Sequence, residues 1–251
     1  MDDLITKAAQ LLADTKRTVA LTGAGISVES KIPSFRGAGG IWEKIDPMEF
    51  AHIDSFLKDP EKVWKGFLAE MKNIIDDALP NDAHYWLYKL EKLKILSTII
   101  TQNIDGLHQM AGNTDVIEFH GNFANQRCLN CHKVIKTSDL NLDTIPPLCE
   151  CGGIYRPNCV FFGEMIPSDL LQRSKELAVS CDIMLVIGTS AVVQPAASMP
   201  VIAKQTGSKV IEINSEPTEL SYSISDIFIQ EKASVVMNRL IGMLDEGELL
   251  T

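Results

Sequence analysis

Five short apolar runs punctuate the chain, and each ends directly in small or polar residues. The runs at Thr18–Thr22, 95–100, 116–119, Ile183–Ile187 and 210–213 lead into TGAGIS, TQNID, HGN, GTS and NSE. Apolar residues at helical spacing fill the sequence around 82–93, 168–179 and 196–206, and Leu4, Ala8, Leu11 and Leu12 mark a first helix. Fully apolar strands alternating with helices predict an α/β fold, a parallel sheet covered on both faces. Open sheets of this kind place their ligands beyond the carboxyl ends of the strands, where the five polar segments converge.

Two segments interrupt the alternation. Residues 36–80 carry Trp42, Phe50, Phe56, Trp64, Phe67 and Met71 at helical spacing between turn signals, and read as a small helical insertion. Residues 124–156 hold four of the six cysteines, adjacent prolines and Gly152-Gly153, with few large apolar residues. Such a stretch has too little to bury on its own and is expected to fold around a metal. The 251-residue chain as a whole is long enough to bury about 70–75% of its unfolded surface, so no disulfides are needed for stability.

Cys128 and Cys131 are spaced C-x-x-C, and Cys149 and Cys151 are spaced C-x-C 17 residues further on. Two such pairs are the layout of a closed tetrahedral zinc site, which leaves no open position for a substrate and is therefore structural. The tight second pair departs from C-x-x-C. Four unligated thiols, or His132 in place of one cysteine, are the alternatives. Cys159 and Cys181 lie in apolar surroundings and read as core residues.

The net charge of −10 argues against a protein that binds nucleic acid by neutralising phosphates, and leaves a basic peptide open as a partner. The first residues lack the features of a secretory signal, and no apolar run approaches the ~20 residues that cross a bilayer. A cytoplasmic protein that does not engage membranes is expected.

TGAGIS after a strand suits a phosphate-binding turn, because glycines admit a pyrophosphate close to the backbone. The third glycine of the dinucleotide fingerprint is absent, since Val28 stands there, and a tight turn needing positive φ explains the glycines equally well. His120, at a strand end with Asn103, Asp105 and the glycine loop, is the best general-base candidate, with hydrogen-bonded scaffolding as the alternative. His52, His84 and His108 read as surface or capping residues.

Together these pieces resemble the sirtuins, NAD-dependent protein lysine deacylases. The strings that carry the resemblance run in order along nearly the whole chain: GAGIS at 23–27, IPSFRG at 32–37, TQNIDGLHQMAG at 101–112, HG at 120–121, the four cysteines, RPNCVFFGE at 156–164, GTSAVVQPAA at 188–197 and IN at 213–214. The resemblance implies a Rossmann-like large domain (1–35, 81–123 and 157–251) and a small domain built from the insertion 36–80 and the zinc module 124–156. NAD, as a co-substrate, and an acetylated lysine peptide would meet between them.

Position by position, the resemblance implies a cofactor loop with Gly23, Ala24, Gly25, Val28, Phe35 and Arg36. Gln102, Asn103, Ile104 and Asp105 would line the nicotinamide and ribose pocket, with Asp105 on the carboxamide. Gly188, Thr189, Ser190, Asn214, Ser215, Lys232 and Ala233 would face the adenosine half. His120, the general base, and Asn103 would be catalytic and would also contact the cofactor. Val160, Phe161, Phe162, Gly163 and Glu164 would form one edge, and Val192 and Val193 the other, between which the peptide inserts as a strand. The implied products are free lysine, nicotinamide and O-acetyl-ADP-ribose, made by a monomer with structural Zn²⁺.

Two features depart from the family. Lys31 replaces the usual glycine before Ile-Pro. The tyrosine and arginine that serve acidic acyl groups are matched by Phe67 and Glu70, which predicts acetyl or apolar acyl groups over succinyl. A mono-ADP-ribosyltransferase or a non-catalytic NAD-sensing module are the alternatives, and a dehydrogenase fits worse.

Overall fold

In a computed structural model of the chain, six strands form one parallel sheet in the order β3-β2-β1-β7-β8-β9. They are β1 (Thr18–Thr22), β2 (Leu96–Thr101), β3 (Val116–Glu118), β7 (Ile183–Ile187), β8 (Lys209–Asn214) and β9 (Ile227–Gln230). Residues 1–15, 17–37 and 39–245 are described; Lys16, Ala38 and the end of the chain from 246, which falls in the expected large domain, lie outside them.

The sheet forms because its strands are rich in β-branched residues and are apolar on both faces. Alternation then divides the core. Ala20, Ile99, Leu185 and Ile211 pack against the helices Asp2–Ala13, Asp82–Lys92 and Ala233–Asp245. Val19, Leu21, Ile100, Met184, Val186 and Val210 pack on the opposite face, with Ser168–Ser180, Ser198–Gln205 and Leu220. Burying one such Leu or Ile side chain is worth about 1.5–3 kcal/mol, so the two layers fix the sheet firmly.

All five expected strands form, with ends displaced by a residue. β2 extends to Thr101 and β8 to Asn214 because pairing with β1 and β9 continues past the apolar run. β9 and the helix Ala233–Asp245 went unread: IFIQ is only four residues long and had no turn signal to frame it. The cysteine-rich stretch also has a sheet of its own, in the order β5-β4-β6, from β4 (Gly121–Cys128), β5 (Val134–Lys136) and β6 (Tyr155–Cys159).

Short helices and turns occupy the expected insertion, among them Ile53–Lys58, Pro60–Val63 and Ala69–Asp76. Phe56, Trp64, Phe67 and Met71 of this segment share one core with Phe123, Cys128, Tyr155 and Phe161. The Trp64 indole N–H donates to the Tyr155 carbonyl at 3.0 Å, pinning the insertion to β6. No helix among the described residues is long and apolar enough to cross a membrane.

Candidate active site

β1 lies between β2 and β7, so the chain direction of the sheet diverges there and a crevice opens at the strand ends. After Thr22 the chain winds into a 3₁₀ helix, Ala24–Ser30, with the Gly23 N–H on the Ile187 carbonyl at 3.1 Å and the Gly25 N–H on the Gly188 carbonyl at 2.7 Å. A Cβ on Gly25 would stand 2.7 Å from the Gly188 Cα. Gly188 itself has φ +60, and a Cβ there would stand 2.3 Å from the Ile26 nitrogen. The two loops touch through bare backbone, which leaves the crevice above them open. The fingerprint's third glycine is not needed, because this helix is 3₁₀ and Val28 projects from it, 47% exposed, into the cleft.

Lys31 ends that helix in the left-handed region, φ 68 and ψ 15, and its N–H satisfies the Ser27 and Val28 carbonyls. The structure thus explains the departure noted in the sequence: this is a glycine conformation, held here by a lysine at a cost of about 1–2 kcal/mol.

His120 lies two residues beyond the end of β3 and immediately before β4. Its Nδ1 donates to the Gln102 carbonyl at 3.1 Å, since a carbonyl can only accept, and this leaves Nε2 as the ring's free acceptor. Burial holds the His120 pKa below the ordinary histidine value, partly offset by the Gln102 bond. Gln102 is fixed in turn through its amide on Thr189 Oγ1 at 2.9 Å. Asn103 is 6% exposed, with its amide on Ser27 Oγ at 3.1 Å and the Gly23 carbonyl at 3.2 Å.

These residues line one cleft of about 1460 Å³. Every residue expected at the cofactor and peptide subsites lines it, except Asp105. The Asp105 carboxylate turns to Ser27 Oγ at 2.8 Å and the Leu107 N–H at 3.0 Å, and burial raises its pKa. On the peptide side, Glu164 is committed to its own loop. It takes a bidentate pair from Arg156, at 2.7 and 2.6 Å, and the Phe161 N–H at 2.8 Å. Phe162 is bridged to the His52 segment through both backbone groups. Gly163 and Val192 also line the cleft, and among the described residues neither has a backbone hydrogen bond of this kind.

Phe67, Leu68 and Met71 form an apolar wall, joined by Trp42 stacked on Phe35 with centroids 5.0 Å apart. Glu70, matched by position to the family's arginine, is exposed and outside the lining, while Met71 lines the cleft beside Phe67. The sequence marked Trp42 and Met71 only as apolar positions of a helix; nothing in spacing distinguishes a cleft wall from a core.

His84 and His108 are not surface residues: they are 0% and 1% exposed. His84 does cap its helix, Nδ1 accepting the Asn81 N–H, while His108 Nε2 meets Thr22 Oγ1 at 2.9 Å. Burial brings the His84 pKa down to about 4. Cys181 is buried as expected, but Cys159 is half-buried and lines the cleft.

The sulfurs of Cys128, Cys131, Cys149 and Cys151 all lie within 4.8 Å of one another. Cys128 and Cys151 are 3.5 Å apart, and Cys131 and Cys149 3.7 Å. Tetrahedral zinc with Zn–S of about 2.3 Å requires S–S separations near 3.8 Å, so the four thiols fit that ion. The C-x-C pair is accommodated by the turn after it, where the Cys149 N–H donates to the Gly153 carbonyl and the Gly152 N–H to the Cys149 carbonyl, both at 2.8 Å. His132 is not in the cluster.

A model of the Sir2 family matches residues 23–195. NAD-dependent protein deacylase 2 of Pyrobaculum aerophilum is 44% identical over 234 residues, covering 93% of each chain. The NAD-dependent protein deacetylase of Sulfurisphaera tokodaii is 45% identical over 231 residues, covering 90% of each. Among solved structures, a Sir2 homologue in complex with ADP-ribose superposes with a TM-score of 0.92 at 42% identity over 98% of both chains. A Sir2 complex with p53 peptide and NAD⁺ superposes at 0.86 and 34% identity, over 96% of this chain and 99% of the other.

Proposed function

The chain belongs to the Sir2 family and is an NAD-dependent protein deacetylase, and we propose the following division of that reaction among its own residues. The observation that carries it is the convergence of His120, Asn103 and the glycine loop on one cleft, with His120 Nε2 free to accept a proton. NAD supplies the electrophilic ribose carbon, and nicotinamide is the leaving group. Gly23, Ala24, Gly25, Val28, Phe35 and Arg36 hold the diphosphate and near ribose. Gln102, Asn103, Ile104 and Asp105 enclose the nicotinamide end, Asp105 after turning from Ser27. Gly188, Thr189, Ser190, Asn214, Ser215, Lys232 and Ala233 take the adenosine half. The acyl-lysine carbonyl oxygen would displace nicotinamide at that ribose carbon; His120 Nε2 would then take a ribose hydroxyl proton so that this hydroxyl oxygen adds to the acyl carbon, and water would release free lysine and leave the acyl group on ADP-ribose.

The peptide enters as a strand between 160–164 and 192–193, where the Gly163 and Val192 backbones are available to it. Cys128, Cys131, Cys149 and Cys151 would hold Zn²⁺ as thiolates, and the ion would supply a structural cross-link. We place the small domain at 36–80 and 124–156, on the shared core of those segments. A reducing, cytoplasmic setting suits six cysteines that form no disulfide, and we take the protein to act there as a monomer without direct nucleic-acid or membrane contact.

Acetyl and apolar acyl groups are preferred because the wall formed by Phe67, Leu68, Met71 and Trp42 offers an acyl carboxylate no cation. A panel of acyl versions of one peptide, assayed with NAD and with products identified by mass, tests the reading. Acetyl-peptide should release nicotinamide and O-acetyl-ADP-ribose, with kcat/KM about 100-fold above the succinyl peptide. Comparable turnover of both would overturn the acyl preference. ADP-ribose left covalently on protein would establish the transferase alternative.

A further inference from the structure

Within the buried stretch 210–213 of β8 the one polar side chain is Glu212, which is fully buried on the face that also carries Val210. A carboxyl group there needs partners, because leaving one buried and unpaired costs several kcal/mol. Three hydroxyls provide them. Thr218 Oγ1 donates to Oε1 at 2.6 Å, and Ser221 Oγ and Ser225 Oγ donate to Oε2 at 2.9 and 2.7 Å.

Two of these hydroxyls also cap the short helix Glu219–Ser223. Thr218 Oγ1 accepts the Leu220 N–H at 3.1 Å, and Ser221 Oγ accepts the Thr218 N–H at 2.9 Å. A hydroxyl has one proton to give. By taking that proton from each, Glu212 turns the oxygen lone pairs toward the backbone N–H groups and fixes the sense of the capping box. Leu220 is thereby held in the core, while Tyr222 stands 77% exposed on the outer side. Glu216, Thr218, Glu219 and Tyr222 of this segment form one wall of the cleft, beside Asn214 and Ser215.

We propose that Glu212 is the positioning residue of the adenosine wall: a buried carboxylate that holds the turn 218–225 in place so that the adenosine half of NAD meets a preformed surface. Glu212 touches no substrate. Its effect is on dinucleotide binding alone, and the proposal rests on the reading that this end of the cleft takes adenosine.

The test compares the zinc-loaded protein with Glu212→Met, Glu212→Gln and Ser225→Ala, by steady-state kinetics with acetyl-peptide and by calorimetric titration with ADP-ribose. Removing the acceptor in Glu212→Met should raise the KM for NAD and the Kd for ADP-ribose about tenfold, the scale of one lost hydrogen bond to a charged group. The kcat at saturating NAD and the KM for peptide should stay within about twofold, and Glu212→Gln, which keeps shape and one acceptor, should recover part of the loss. Unchanged NAD and ADP-ribose binding in folded Glu212→Met overturns the proposal. A parallel loss in kcat and in both KM values overturns it too, since that is the mark of a general scaffold residue. If Glu212→Met does not fold, Glu212→Gln and Ser225→Ala decide, and wild-type ADP-ribose affinity in both overturns it. A wild-type protein that binds no ADP-ribose overturns the underlying reading instead.

Discussion

Single residues set the working limits of this site. His120 must be neutral to accept a proton, and its pKa is held below 6.5. The acid limb of kcat/KM for deacetylation should therefore lie below pH 6.5 and flatten through neutrality, and His120→Ala should remove the limb along with about 10²–10⁴-fold of the rate. A pH–rate profile of both proteins checks this. Lys31 carries backbone strain with no compensating side-chain bond, so Lys31→Gly should raise the unfolding free energy by about 1 kcal/mol, read by urea titration. That His120 and Asn103 share one cleft was legible in the sequence, because both follow apolar strand runs that a parallel sheet delivers to the same edge. Met71 and Glu212 were not: a methionine at helical spacing and a glutamate in a strand look like core and surface until the packing is known.

Elements show a different balance of local and long-range causes. Strands β1, β2, β3, β7 and β8 were evident from apolar runs, because a strand covered on both faces needs no partner information to be recognised. β4 to β6 were hidden by polar composition, since their stability comes from the cysteine cluster and from Trp64, which arrives from another segment. This makes the module dependent on its ion. Cys128→Ser should hold substoichiometric zinc by atomic absorption, melt at a lower temperature and lose deacetylase activity, because structural zinc contributes on the order of 10 kcal/mol to folding such a unit. Full activity and an unchanged melting curve without zinc would sink the structural assignment.

At the scale of the whole molecule, stability should be sensitive to acid. His84 is buried neutral with a pKa of about 4, against 6.5 for the free side chain. Between those values the unfolded chain binds a proton that the folded one refuses, so stability is full above pH 6.5 and falls as the pH drops toward 4. His84 alone accounts for about 3 kcal/mol of that fall. Urea midpoints across this range should decline, and His84→Asn, whose amide oxygen can still cap the helix, should flatten the slope. The strand order has a consequence in time as well. β1 pairs with β2 and with β7, yet Ile183 lies far beyond its partner Thr18 in sequence, and the whole cysteine module is made between them. During synthesis the β3-β2-β1 half can assemble early, but Gly25 cannot meet Gly188 until the module has emerged. Closing so long a loop is slow, so the floor of the catalytic cleft should form late, after the β3-β2-β1 half.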